Sequence, residues 1–182
     1  MAIQTVGIVG AGTMGNGIAQ ACAVSGIDVV MVDISEAAVQ KGVATVAGSL
    51  DRLIKKEKIT AADKDAALAR IKTSTDYADL KGAQLVIEAA TENFDLKVKI
   101  LKQLDEMLPA DTLVATNTSS ISITKLGAVT QRADKFIGMH FFNPATAMKL
   151  IEVIRAAHTS DETFEIIKNL SVEIGKTPVE VA

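Results

Sequence analysis

The stretch TVGIVGAGTMGNGIAQACAVSG, residues 5–26, confines this chain more than any other. A β-branched run ends at Gly10, a G-x-G-x-x-G cluster follows (Gly10, Gly12, Gly15), and an apolar helical pattern starts on it. Ile18 and Cys22, four apart, share the buried face of that helix, and Gly26 supplies a left-handed stop. Each glycine has a physical reason: Gly10 for a tight turn, Gly12 for close approach of backbone to a pyrophosphate, Gly15 for close packing of helix on strand. The helix start offers free N–H groups and a positive dipole end to an anion. Thr13 and Met14 lie in its first turn. Asp33 ends the next apolar run, 23 residues after Gly10, where it can accept the hydroxyls of an adenosine ribose and repel a 2′-phosphate. The unit predicts a dinucleotide site for NAD rather than NADP.

Short apolar runs alternate with amphipathic stretches along the rest of the chain. This predicts an α/β, Rossmann-type doubly wound, mainly parallel sheet. Strands are expected at 5–9, 28–33, 85–90, 113–116, 136–141 and 150–154, with shorter ones at 71–75 and 178–181. Runs such as VVMV and LVIEAA are apolar at consecutive positions, as in strands covered on both faces. A helix is expected from Ser35 to about Lys58. Its Val39, Val43, Val46, Leu50 and Leu53 form a narrow seam, and its length of roughly 30–35 Å is long for a simple crossover. Thr60 and Asp63 read as a capping box for a returning helix that ends near Arg70. The two form a helical hairpin inserted after the second strand, with the seam packing on its own hairpin. Further helices are expected at 94–108, stopped by Pro109, and 161–174, stopped by Gly175.

Composition narrows the functional classes. The chain has 182 residues, 48% of them hydrophobic, enough for one domain over 1–182. Only 3% are aromatic, with no Trp, and the net charge is −3, which disfavours a nucleic-acid partner. One cysteine, Cys22, and two histidines exclude an intramolecular disulfide and disfavour a structural metal site. Cys22 reads as a small apolar core residue, His158 as a surface loop residue, and Glu88 as a buried structural carboxylate. No stretch approaches a membrane span, and the expected location is the cytoplasm.

Polar groups gather at the carboxyl ends of later strands, where ligands of open α/β sheets bind. Thr91, Glu92 and Asn93 follow LVIEAA. Asn117, Thr118, Ser119 and Ser120 follow LVAT. His140 and Asn143 end FIGMHFFNP, and Glu152 lies inside the apolar run LIEVI, where a carboxylate needs a partner. A histidine and a buried-looking glutamate suggest an oriented acid–base pair.

With GAGTMGNGIAQ, IEAATEN, TNTSS and GMHFFNPATAMKLIEVI in this order, the chain resembles the short-chain L-3-hydroxyacyl-CoA dehydrogenases over its whole length. The resemblance implies that His140 takes the 3-hydroxyl proton while hydride passes to NAD, and that Glu152 orients and stabilises His140. It implies that Ser119 contacts the substrate oxygen and the nicotinamide region, and that Glu92, Lys97, Asn117 and Asn143 lie around the cofactor. Ser49 and Lys56 are implied to hold coenzyme A. Here the spacing agrees, since Ser49, Arg52 and Lys56 share one helix face. The implied substrates are acyl-CoA thioesters such as 3-hydroxybutyryl-CoA and acetoacetyl-CoA. Family members continue beyond this stretch into a helical domain through which they homodimerise. That domain begins with a segment of the type PGFVxNR, whose asparagine completes the catalytic site, so 1–182 alone is expected to bind NAD and turn over poorly. ATAM at 145–148 departs from the PVPVM-like residues of relatives. Two other readings stay open: a dehydrogenase of a free hydroxy or sugar acid, and a non-catalytic NAD-binding or structural relative.

Overall fold

In the computed structural model, which describes residues 2–118 and 121–181, eight strands form one sheet in the order β3-β2-β1-β4-β5-β6-β7-β8. The strands are β1 (Thr5–Val9), β2 (Asp28–Val32), β3 (Ile71–Ser74), β4 (Leu85–Glu88), β5 (Leu113–Thr116), β6 (Phe136–Phe141), β7 (Leu150–Ile154) and β8 (Thr177–Val181). The sheet is parallel throughout except at β6–β7. The chain moves outward from β1 through β2 to β3, then returns to place β4 on the other side of β1. This reversal opens a crevice at the carboxyl ends of β1 and β4, where the connections leave in opposite directions.

Helices α1 (Thr13–Val24), α2 (Glu36–Lys55), α3 (Ala61–Arg70), α4 (Phe94–Met107), α5 (Ile123–Gly127) and α6 (Asp161–Glu173) cover the sheet. Successive strand residues feed opposite layers. Ile8 joins the core that holds Ile18, Leu50 and Ile167 of α1, α2 and α6, whereas Val9 joins the one that holds Leu101, Leu104 and Leu126 of α4 and α5. That is why both β1 neighbours in sequence are apolar.

The hairpin expected after the second strand is α2–α3. Ser35 Oγ accepts the Ala38 N–H at the start of α2, and Thr60 and Asp63 form the reciprocal capping box of α3. Of the seam, Val39, Val46 and Leu50 are buried, and Val43 and Leu53 pack against the same core. Gly42 makes the contact close: a Cβ there would come within 2.9 Å of the Ala11 carbonyl. The hairpin is thereby seated against the glycine turn. The short helix α5 and the 3₁₀ turns Tyr77–Leu80 and Ala133–Lys135 have no expected counterpart, because each is too short to show a period of its own. Strands β2 and β4 end one and two residues earlier than expected, since the residues beyond them turn into the crevice. Cys22 is fully buried, and His158 is exposed in a turn.

Two tests follow from this packing. Leu50→Ala removes a fully buried side chain and should destabilise the protein by about 2–5 kcal/mol, read as a lower urea midpoint with an unchanged slope. Burial pushes the Cys22 thiol up to about 12, so it stays neutral in mildly alkaline buffer. Alkylation there should be negligible in the native protein and complete once denaturant exposes the residue.

Candidate active site

The glycine turn is held by backbone geometry. Gly10 sits at φ +111°, where an L side chain is strained, and a Cβ on it would strike the Ala89 carbonyl at 2.8 Å. A Cβ on Gly15 would fall 1.8 Å from the Gly10 carbonyl oxygen. At Gly12 the reverse holds: no atom lies within 4 Å of its Cβ position. Gly12 is the N-cap of α1, no side chain caps that end, and its first turn carries no acidic residue. The free amides therefore face an open cradle, with Thr13 exposed and Met14 half-buried beside it.

Asp33 closes one side. Its carboxylate accepts the N–H of Ala11 at 2.8 Å and of Ile34 at 2.7 Å, which ties the end of β2 to the glycine turn and fixes the direction of its remaining lone pairs. Beyond Asp33 lies a cavity of about 330 Å³ walled by Ile34, Tyr77, Leu96, Lys99 and Ile100. Ile34 is 92% exposed on the wall of this cavity. Burial, and then the carboxylates of Asp33 and Glu88, hold the Tyr77 phenol above its usual range, so it keeps its proton. These walls had no signal in the sequence beyond the adjacency of Ile34 to Asp33, because α4 and the turn at Tyr77 approach only in three dimensions. A second cavity, of about 270 Å³, lies between Gly12, Thr13 and Asp33 on one side and Lys41 and Thr45 of α2 on the other.

The other end of the crevice is built from β4, β5 and β6. Asn93 caps α4 by accepting the Leu96 N–H. Thr118 donates its hydroxyl to Glu92 at 2.8 Å, joining the β4 and β5 loops. Lys97 is buried, its Nζ 2.6 Å from Glu88. Asn117 accepts the Phe141 N–H through Oδ1 at 2.8 Å, bracing the end of β5 against the residue after His140. Ser119 lies outside the described residues. Asn143, two residues past β6, is exposed.

His140 and Glu152, twelve residues apart in sequence, are direct cross-strand partners of the antiparallel β6–β7 pair. Their Nδ1 and Oε1 atoms are 2.9 Å apart. The ring rests against Phe142, with centroids 4.5 Å apart. The loop that follows is clamped: Lys176 donates to the carbonyls of Ala145 and Met148 at 2.6 and 2.8 Å, and Ala145 is buried at Gly17 of α1. Ser49 is half-buried one turn beyond Thr45 on α2, and Lys56 is the exposed C-cap of that helix. Neither side chain hydrogen-bonds another site residue among the described residues. Among those residues, no group of three or more His, Cys, Asp or Glu could hold a metal ion, and no helix is long and apolar enough to cross a membrane.

The family described as "3-hydroxyacyl-CoA dehydrogenase, NAD binding domain" matches residues 5–182. The chain belongs to this family. It is 45% identical to a 3-hydroxybutyryl-CoA dehydrogenase of Bradyrhizobium diazoefficiens over 96% of its length, and 44% identical to one of Clostridioides difficile over 96%. A crystal structure of (S)-3-hydroxybutyryl-CoA dehydrogenase from Ralstonia eutropha is similar over 99% of the chain, with 69% identity and a TM-score of 0.98. The chain spans 59%, 62% and 64% of those three proteins respectively.

The cofactor of this family domain is NAD, and the residues present fit it. The Gly12 cradle with its uncapped amides suits a pyrophosphate, Asp33 suits ribose hydroxyls, and the Ile34–Leu96–Ile100 cavity suits an adenine ring. Asp33→Asn removes the charge and keeps an acceptor for only one of the Ala11 and Ile34 amides, which bond different carboxylate oxygens. NADH binding should weaken roughly ten- to a hundredfold, as for loss of a charge-assisted hydrogen bond, and the gap between NADH and NADPH should narrow. Fluorescence titration with both cofactors reads this. An unchanged affinity ratio would remove Asp33 as the discriminating group.

Proposed function

We propose that the protein to which this domain belongs oxidises an L-3-hydroxyacyl-CoA to the 3-ketoacyl-CoA, or runs the reverse reduction, with 3-hydroxybutyryl-CoA and acetoacetyl-CoA as its substrate pair. The observation that carries this is the His140–Glu152 contact at 2.9 Å, at the same carboxyl end of the parallel strands as the glycine turn. An ionised carboxylate only accepts hydrogen bonds, so the proton between them belongs to His140 Nδ1 and the lone pair to Nε2. Nε2 is then a base for the 3-hydroxyl proton in oxidation, and its protonated form donates to the ketone oxygen in reduction. Bound NAD supplies the hydride acceptor. Glu152 holds the ring's tautomer and direction. The family resemblance gives Ser119 the role of sharing charge that develops on the reacting oxygen, and Ser49 with Lys56 that of holding the CoA portion. The names of the relatives support the choice of a CoA thioester over a free acid. The same reading places the protein in the cytoplasm as a homodimer assembled through residues beyond this domain.

His140→Gln keeps a polar side chain in place but removes the base. In the complete protein, kcat should fall by about 10²- to 10⁴-fold while NADH affinity stays unchanged. Full activity in that variant would end the base assignment. Wild-type turnover of free 3-hydroxybutyrate as fast as of its CoA thioester would end the substrate assignment.

A further inference from the structure

The carboxylate of Glu88 and the ammonium of Lys97 are 0% and 1% exposed and stand 2.6 Å apart. Burying two charges is expensive, and a well-packed apolar pair of the same volume is often as stable. The pair also sits at a particular place. Glu88 is the last residue of β4, beside β1 at the reversal of the sheet, and is in register with Thr116, the last residue of β5. Its Oε1 accepts Lys97 Nζ and the Thr116 hydroxyl, and its Oε2 accepts the Ala90 N–H at 2.9 Å. Lys97 has two further N–H groups, and no other acceptor among the described residues takes them. Asp33 holds the adenosine end of NAD across β1, while His140 stands at the end of β6. The ring that exchanges hydride must therefore lie over the ends of β4 and β5, above the Glu88–Thr116 pair.

We infer that Glu88 is a positioning residue that acts through Lys97 to balance the site between oxidised and reduced cofactor. The nicotinamide ring carries a positive charge in NAD⁺ and none in NADH. A lone buried ammonium beneath it would disfavour the oxidised form. Glu88 cancels that charge and holds Lys97 by a short bond, so that the pair imposes no net field against NAD⁺. The inference rests on the NAD site itself, and wild-type NADH binding is the control that separates failure of that site from failure of this role.

The test measures Kd for NAD⁺ and NADH in the same variants, with circular dichroism to confirm folding. Glu88→Gln should weaken NAD⁺ more than NADH, changing the Kd ratio by at least about tenfold, the effect of one uncompensated charge within roughly 12 Å in a medium of effective dielectric near 20. Lys97→Met leaves the carboxylate alone and should shift the ratio the other way. The double variant Glu88→Gln/Lys97→Met is neutral again and should return the ratio to its wild-type value. If Glu88→Gln does not fold, the Lys97→Met and double variants read the same ratio. Equal weakening of both cofactors in the folded variants would overturn the inference and reduce the pair to a structural pin, as would a double variant that fails to restore the ratio.

Discussion

The contact between the Gly10 carbonyl and Gly15 is the constraint on which the rest of the site depends. With the oxygen 1.8 Å from where a Cβ would be, no other residue lets α1 lie this close to the end of β1. That closeness puts the first amides of α1 at the mouth of the crevice. It also leaves room for α2, whose Gly42 approaches Ala11 in turn. Asp33 then bonds the Ala11 amide, so the end of β2 and the glycine turn are tied into one body.

The His140 end is organised differently, by cross-bracing between loops. A single antiparallel pair in an otherwise parallel sheet places Glu152 opposite His140. Asn117 ties β5 to the backbone beside His140, and Lys176 holds the carbonyls of the following loop. Each brace fixes backbone rather than substrate. Together they limit where Nε2 of His140 can point.

Between the two ends lies the buried knot of Glu88, Lys97 and Thr116. It joins β4, α4 and β5 at the point where the sheet reverses. Sequence reading put Lys97 near the cofactor and set Glu88 aside as structural; the structure joins them in one interaction. Nothing in the linear pattern marks the pairing. The two residues are nine apart, one on a strand and one in the first turns of a helix, and only the packing of α4 against the sheet brings them together.

The sequence by itself determined the fold class, most strand positions, the helical hairpin with its caps, and the Gly10–Gly12–Gly15–Asp33 unit. These are local or periodic features. A turn that only glycine can make, a cap that needs Thr60 and Asp63 three residues apart, and an apolar run covered on both faces all act over a few residues. Only the tertiary structure decided the walls around Ile34, the bracing roles of Asn117 and Lys176, and the direct His140–Glu152 contact, which the sequence could suggest but not measure. Each of these joins residues whose spacing carries no period, and their meeting follows from strand order and helix packing, which no short stretch of sequence contains.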